Sequence, residues 1–380
     1  MLIAAAATIL IPLSAPLGTA GASVKKTSYV AVGMNGVSCV PGECVAVGIA
    51  QGPGTASTPQ AWTLSHGQWT VATLPSGRAR WVSLTSVSCP QAGSCLAVGD
   101  AEFGANEEGF AARLDAGIWT RTPLPPGTPP LRSVSCVSPT WCMAVGTASQ
   151  ATSAGLALLW NGTTWSRVET ASVAYGAEFF GVSCTSTKFC MAVGGAVATP
   201  FAETWDGAAW TVSLAPTTAA PESYDLLVAI SCTSASFCLT TGDFGGCCGS
   251  YNATSFKWDG TSWTSVLTPI TQVSLSGISC ASATSCVAAG TYGPSDIPKF
   301  PPRAVVEQWN GSAWAPLTGS AFGPQSELSG VSCTRAIWCA AVGSVTMRVG
   351  ATLWFVNAGC AQPLVERWNG ATLNRMWAAD

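Results

Sequence analysis

The sequence predicts an all-β protein, a seven-bladed β-propeller with four-stranded antiparallel blades. Three observations carry that expectation. A two-part phrase recurs seven times along the 380 residues, with its first cysteines 47 to 53 residues apart. Each copy reads as four short strands, and no 3.6-residue hydrophobic period competes after residue 28.

The first phrase is Gly or Ser, then Val-Ser-Cys, a short gap, and Cys-x-Ala-Val-Gly. It begins at Cys39, Cys89, Cys136, Cys184, Cys232, Cys280 and Cys333. Its first half ends strand one of a blade and its second half is strand two. The second phrase is Trp-Asn/Asp-Gly-x-x-Trp, clearest at Trp160 to Trp165, Trp205 to Trp210, Trp258 to Trp263 and Trp309 to Trp314. Weaker copies run from Trp62 to Trp69 around His66-Gly67, from Asp115 to Trp119, and from Trp368 to Leu373. Strand three runs into the first Trp and strand four leaves from the second. Asn-Gly and Asp-Gly are strong hairpin signals. With those two residues as the turn, Trp160 pairs Thr163 and Leu158 pairs Trp165, so the Trp rings meet diagonally. Strand two is apolar at nearly every position, as expected of a blade covered on both faces. The blades fall at about 28–76, 80–126, 128–172, 177–217, 225–270, 273–319 and 326–380. Either blade seven supplies its own fourth strand from Leu373 to Ala379, or Tyr29 to Gly33 closes the ring.

Composition agrees. The chain is 48% apolar and only 9% charged, with net charge −3. That leaves no basic footprint for nucleic acid. Apolar residues come in short bursts, so no transmembrane helix is expected in the mature chain. Residues 1–22 form a separate unit, a short apolar core followed by Ala20-Gly21-Ala22, and read as a secretory signal. No Lys or Arg precedes that core. An uncleaved segment would instead anchor the chain.

These phrases resemble kelch-type propellers, whose blades likewise end strand two in Gly and open strand four with Trp. The likeness covers about residues 29–380 and departs in lacking the kelch Gly-Gly doublet in most copies and in adding a Cys pair. The chain looks still more like the secreted, Cys-paired propeller repeats of high-GC Gram-positive bacteria.

Fourteen of the 17 cysteines fall in the seven pairs. Behind a signal peptide, this spacing across a hairpin implies one disulfide per blade: Cys39–Cys44, Cys89–Cys95, Cys136–Cys142, Cys184–Cys190, Cys232–Cys238, Cys280–Cys286 and Cys333–Cys339. Cys247, Cys248 and Cys360 remain unassigned. They fit a loop-to-loop bridge plus a thiol, a vicinal pair plus a thiol, or a redox or intermolecular site.

A search for chemistry returns little. The one histidine, His66, sits in a hairpin turn, so histidine-based triads and metal cages are not expected, nor is any cofactor. Galactose-oxidase-like copper chemistry, known on kelch propellers, needs a cage this chain cannot build. Sialidase propellers carry an Asp-box at the same hairpin, but here the spacing is a residue shorter. Glu203, Glu307 and Glu366 each stand two before the strand-three Trp, a repeated position that suggests an inter-blade role such as pairing with Arg. Glu107, Glu108, Asp243 and Asp296 fall between strands two and three, in connections read as loops. Those connections vary most, from 11 residues in blade four to 25 in blade seven, counted from the repeat Gly to the next Trp. Length variation over a constant scaffold marks one rim as the working face. Its candidate ligand-binding residues are Asp243, Tyr251, Tyr292, Asp296, Arg303, Arg348 and Trp354, with Lys299 and Asn357 nearby. The expected function is a secreted, monomeric binding or scaffold module for a glycan or protein ligand. The alternative is a carbohydrate-active hydrolase or lyase using loop carboxylates such as Glu107 and Asp243.

Overall fold

The computed structural model describes residues 31–51, 57–147, 155–171, 177–196, 199–213, 224–245, 251–293, 302–317, 325–336, 338–347, 360–368 and 373–376. Residues 1–22 therefore lie outside the described residues. The described part is a seven-bladed β-propeller of 28 strands, four to a blade. Blade one is β1 (Ala31–Val40), β2 (Glu43–Gln51), β3 (Ser57–Ser65) and β4 (Gln68–Thr73). Blade two is β5 (Trp81–Gln91), β6 (Ser94–Phe103), β7 (Asn106–Asp115) and β8 (Ile118–Arg121). Blade three is β9 (Leu131–Ser138), β10 (Trp141–Gly146), β11 (Leu156–Trp160) and β12 (Trp165–Val168). Blade four is β13 (Glu178–Ser186), β14 (Phe189–Ala196), β15 (Thr199–Trp205) and β16 (Trp210–Ser213). Blade five is β17 (Tyr224–Ser234), β18 (Phe237–Gly245), β19 (Tyr251–Trp258) and β20 (Trp263–Val266). Blade six is β21 (Val273–Ser282), β22 (Ser285–Tyr292), β23 (Arg303–Trp309) and β24 (Trp314–Pro316). Blade seven is β25 (Ser326–Arg335), β26 (Trp338–Met347), β27 (Cys360–Trp368) and β28 (Leu373–Met376).

Within each blade the strands pair antiparallel in chain order, and the first strands touch one another around a central axis. The core is not inside a blade but between blades. In β2, Cys44 and Ala46 pack with Val342 and Val365 of blade seven, whereas Val45 and Val47 pack with Val82 and Leu84 of blade two. Strand two has no polar face because its two faces serve two different cores.

The first strand is an edge, so alternate N–H groups point away from its own sheet and need partners. The paired cysteines lie 3.9 to 4.1 Å apart at Cα, joined by the seven expected disulfides. This is the close spacing of a pair that shares no ladder hydrogen bonds, and it leaves the first Cys N–H facing the neighbouring blade. There it donates to the serine that precedes the neighbour's own cysteine. Cys89 bonds Ser38, Cys136 bonds Ser88, Cys184 bonds Ser135 and Cys232 bonds Ser183. Cys280 bonds Ser231, Cys333 bonds Ser279, and Cys39 returns to Ser332. All seven are 2.9 to 3.0 Å long, and together they close a ring.

The repeat glycine has an equally local cause. Each first strand bulges just before its small residue, for example between Met34 and Gly36. The bulge drives its backbone against strand two, so a Cβ on Gly48 would collide with the Gly33 carbonyl.

The second hairpin differs from the sequence expectation. Trp160 stands directly opposite Trp165, with ring centroids 5.4 Å apart, rather than diagonal to it. The turn holds four residues, not two. Asn161 Oδ1 accepts from the N–H groups of Thr163 and Thr164, and only Gly162 is left-handed, at φ 97°. Asp206, Asp259 and Asn310 repeat this. The Asn/Asp is therefore an acceptor that closes the turn. In blade one the residue opposite Trp69 is Leu64, and Trp62 pairs Val71, so Trp62 does not hold the repeat's first Trp position.

Blade seven carries its own fourth strand, β28, and Ala31–Gly33 belong to β1, paired with β2. Among the described residues no strand is exchanged between the termini; a parallel bridge, Ala31 to Ala361, ties β1 to β27, and Tyr29 and Val30 lie outside the described residues.

Glu203, Glu307 and Glu366 are fully buried. For the first two the expected Arg partner is replaced by backbone leaving the preceding blade. The Ala171 N–H donates to Glu203 at 3.0 Å. The Ile270 N–H addresses Glu307 less well, short of strict hydrogen-bond geometry. Burial lifts both carboxyls from 4.5 to about 7, against the opposing pull of those N–H groups. A carboxyl raised on folding binds its proton more tightly in the folded state. Its contribution is fully present below 4.5 and is lost as pH rises through 7.

Two outcomes follow from these contacts. Replacing Ser135 or Ser279 by Ala orphans a Cys N–H and should cost about 1 to 3 kcal/mol in urea unfolding, without releasing the disulfides. The melting temperature should fall as pH rises from 4.5 to 7.5, and a Glu203→Gln, Glu307→Gln double variant should flatten that slope.

Candidate functional site

The seven bulges place one residue per blade on the axis: Asn35, Thr85, Arg132, Phe180, Val228, Ser276 and Ser329. They line a narrow channel of about 160 Å³. Asn35 and Thr85 spend their polar groups on the wall, donating to the carbonyls of Leu84 and Leu131 at 2.8 and 3.0 Å. Arg132 differs, because its buried Nε has no hydrogen-bond partner.

Arg132 lies beside the most charged part of the described surface, the tall hairpin of β6 and β7. Cross-strand register sets the arrangement. Trp81, Glu102 and Glu107 form one row across β5, β6 and β7, and Ser83, Asp100 and Gly109 form the next row on the same face. Arg80 pairs with Glu102 at 3.3 Å. Arg80, Trp81, Glu102, Ala105 and Glu107 line an open groove of about 510 Å³ on the face opposite the disulfide turns.

Behind the groove, Asp100 is buried, with the carboxyl of Glu107 and the guanidinium of Arg132 near enough to act on it. Burial is the main reason Asp100 is lifted from 3.8 to about 6; Arg132 pulls it down and Glu107 pushes it further up. Asp100 can hold and release a proton near pH 6, beside a half-buried indole and a guanidinium. Among the described residues no group of three His, Cys, Asp or Glu side chains gathers as a metal site would require. No helix there is long and apolar enough to cross a membrane.

Of the seven ligand-binding candidates singled out in sequence, Asp243, Tyr251, Tyr292 and Arg303 lie in strands of the adjacent blades five and six. Tyr292 and Arg303 stand opposite each other on β22 and β23, both exposed. Asp243 is in β18 rather than a loop, and its Oδ2 accepts from Ser274 of blade six at 3.0 Å. Burial raises its pKa, with Ser274 pulling the other way. Tyr251 opens β19 opposite Gly245, and Cys360 opens β27 opposite Met347. Glu107 and Glu108 belong to β7. Asp296, Lys299, Arg348, Trp354, Asn357, Cys247 and Cys248 lie outside the described residues. Strand accounts for little of the extra length in blades five to seven, and most of those residues lie outside the described ones.

Trp81, Glu102, Asp100 and Arg132 were not singled out from sequence. Asp100 could have been, because an acid directly after the repeat Gly breaks an otherwise apolar strand in blades two and five alone.

No known family pattern matches the chain, and no curated protein matches it by sequence. Solved structures do match in fold. YCF48 bound to D1 peptide is 17% identical over 83% of this chain and 91% of that one, with a TM-score of 0.55. YCF48 from Cyanidioschyzon merolae is 12% identical over 83% and 95%, with a TM-score of 0.52. A polysaccharide lyase of family PL25, an ulvan lyase, is 10% identical over 93% and 96%, at 0.55. At these identities the likeness concerns the propeller fold.

Proposed function

We propose that this chain is a secreted binding propeller that takes a hydroxylated ligand, a glycan strand, in the groove of blade two. The observation that carries the reading is the row Trp81–Glu102–Glu107, with Arg80 beside it on an open surface. An indole offers a flat apolar face to a sugar ring, while carboxylates accept from its hydroxyls. Asp100 and Arg132 stiffen the row from behind. Secretion fits seven disulfides placed at exposed turns, which persist in an oxidising compartment. The resemblance to secreted bacterial repeats agrees with this.

A second reading rests on the buried Asp100 carboxyl. A carboxyl held near pH 6 beside a guanidinium suits a proton-transferring hydrolase or lyase acting on the same ligand. The likeness in fold to an ulvan lyase is compatible with this reading.

Affinity electrophoresis against soluble neutral and acidic polysaccharides tests the first reading. Trp81→Ala should weaken the retarding interaction at least tenfold and Glu107→Gln several-fold. Full retention by Trp81→Ala would remove the groove as the site. If the same polysaccharides yield new reducing or unsaturated ends, and Asp100→Asn stops that release while binding persists, the enzymatic reading replaces the binding one.

A further inference from the structure

On the opposite face, where the disulfide turns lie, the ring seam between blades seven and one departs from the repeat at several positions that meet in one place. The turn between Cys39 and Cys44 is a residue shorter than its six counterparts. Opposite Cys44 stands Leu64, where blades three to seven place a Trp opposite the second cysteine. Both changes remove volume. What they leave is a cavity of about 290 Å³ whose walls include Leu64, Trp338, His66, Arg335 and Arg367.

The charge on those walls is one-sided. Arg335 sits at the turn position where Ser138, Ser186, Ser234 and Ser282 each accept a backbone N–H, so blade seven exchanges a turn cap for a guanidinium. Arg367 lies over the Trp338 ring at 5.9 Å. Among the described residues neither arginine forms an ion pair. Glu43, the one acid in the lining, is turned toward blade two, accepting the Gly93 N–H at 2.8 Å. His66 is held left-handed at φ 53°, where Gly or Asn is less strained.

We infer that this seam cavity is a binding site for an oxyanion, a carboxylate, sulfate or phosphate group, carried on a compact ring. Arg335 and Arg367 bind the oxyanion, and Leu64 and Trp338 bound the ring. Guanidinium groups suit planar, multiply accepting anions. The volume suits about one sugar-sized unit. This site is separate from the groove of blade two and does not depend on the reading of that groove.

Isothermal titration of the whole protein with glucuronate, glucose 6-phosphate and inorganic phosphate tests it. At least one probe should bind at one site per chain and weaken as salt is raised. Arg335→Ser, which restores the capping serine, and Arg367→Gln should each weaken binding about tenfold or more while the melting temperature holds. A preference for glucuronate or glucose 6-phosphate identifies a ring-borne oxyanion, and equal or tighter binding of inorganic phosphate identifies the free ion. Trp81→Ala should leave affinity unchanged. Absence of saturable binding by all three probes, or affinity unmoved by both arginine variants, overturns the inference.

Discussion

The exposed edge of each innermost strand is the constraint on which this propeller depends. A ring of blades brings seven such edges toward one axis, where water has little room and each unpaired N–H must be answered. The answer is the serine before the first cysteine, which serves the next blade rather than its own. One residue type thus closes the backbone hydrogen bonding and joins blade to blade. The disulfide beside it fixes the turn of the same strand. The Val-Ser-Cys phrase is therefore an interface motif, and its seven copies are one continuous structure. This also explains how the ring holds with no strand exchanged among the described residues.

The bulge above each serine has the opposite consequence. It frees one residue per blade from the pairing pattern and turns it to the axis, so the channel wall is the part of the inner strands with no repeated composition. Asparagine, threonine, arginine, phenylalanine, valine and two serines occupy seven equivalent sites. Arg132 is the chemically distinct member, and the acids of the neighbouring hairpin gather beside it. Glu203 adds a second tie between blades, its buried carboxyl accepting from the backbone that leaves the preceding blade.

Blade number, strand order, the disulfide pairing and the two-faced burial of strand two could all be read in the sequence, because each is set by residues close together and repeated seven times. The hairpin register could not. Asn-Gly is a two-residue turn signal in isolation, but here the amide accepts two N–H groups and the turn widens to four residues. In blade one, Trp62 looks like the repeat's Trp, yet pairing places Leu64 there. The groove was hidden for a related reason. Trp81, Glu102 and Glu107 are far apart in sequence and become neighbours only through the register of three strands.

The seven-bladed, stapled architecture was determined by the sequence alone. A blade is about 48 residues of local pairing whose two sides must both be covered, and repeating it leaves little choice but a closed ring. Where the repeat is broken, the tertiary structure decided the outcome. Asp100, Arg335 and Leu64 are departures from the repeat scattered along the chain. They acquire meaning only when ring closure sets blade seven against blade one and the bulges set side chains on the axis. Closure brings together residues some 300 positions apart, and no local pattern encodes that distance.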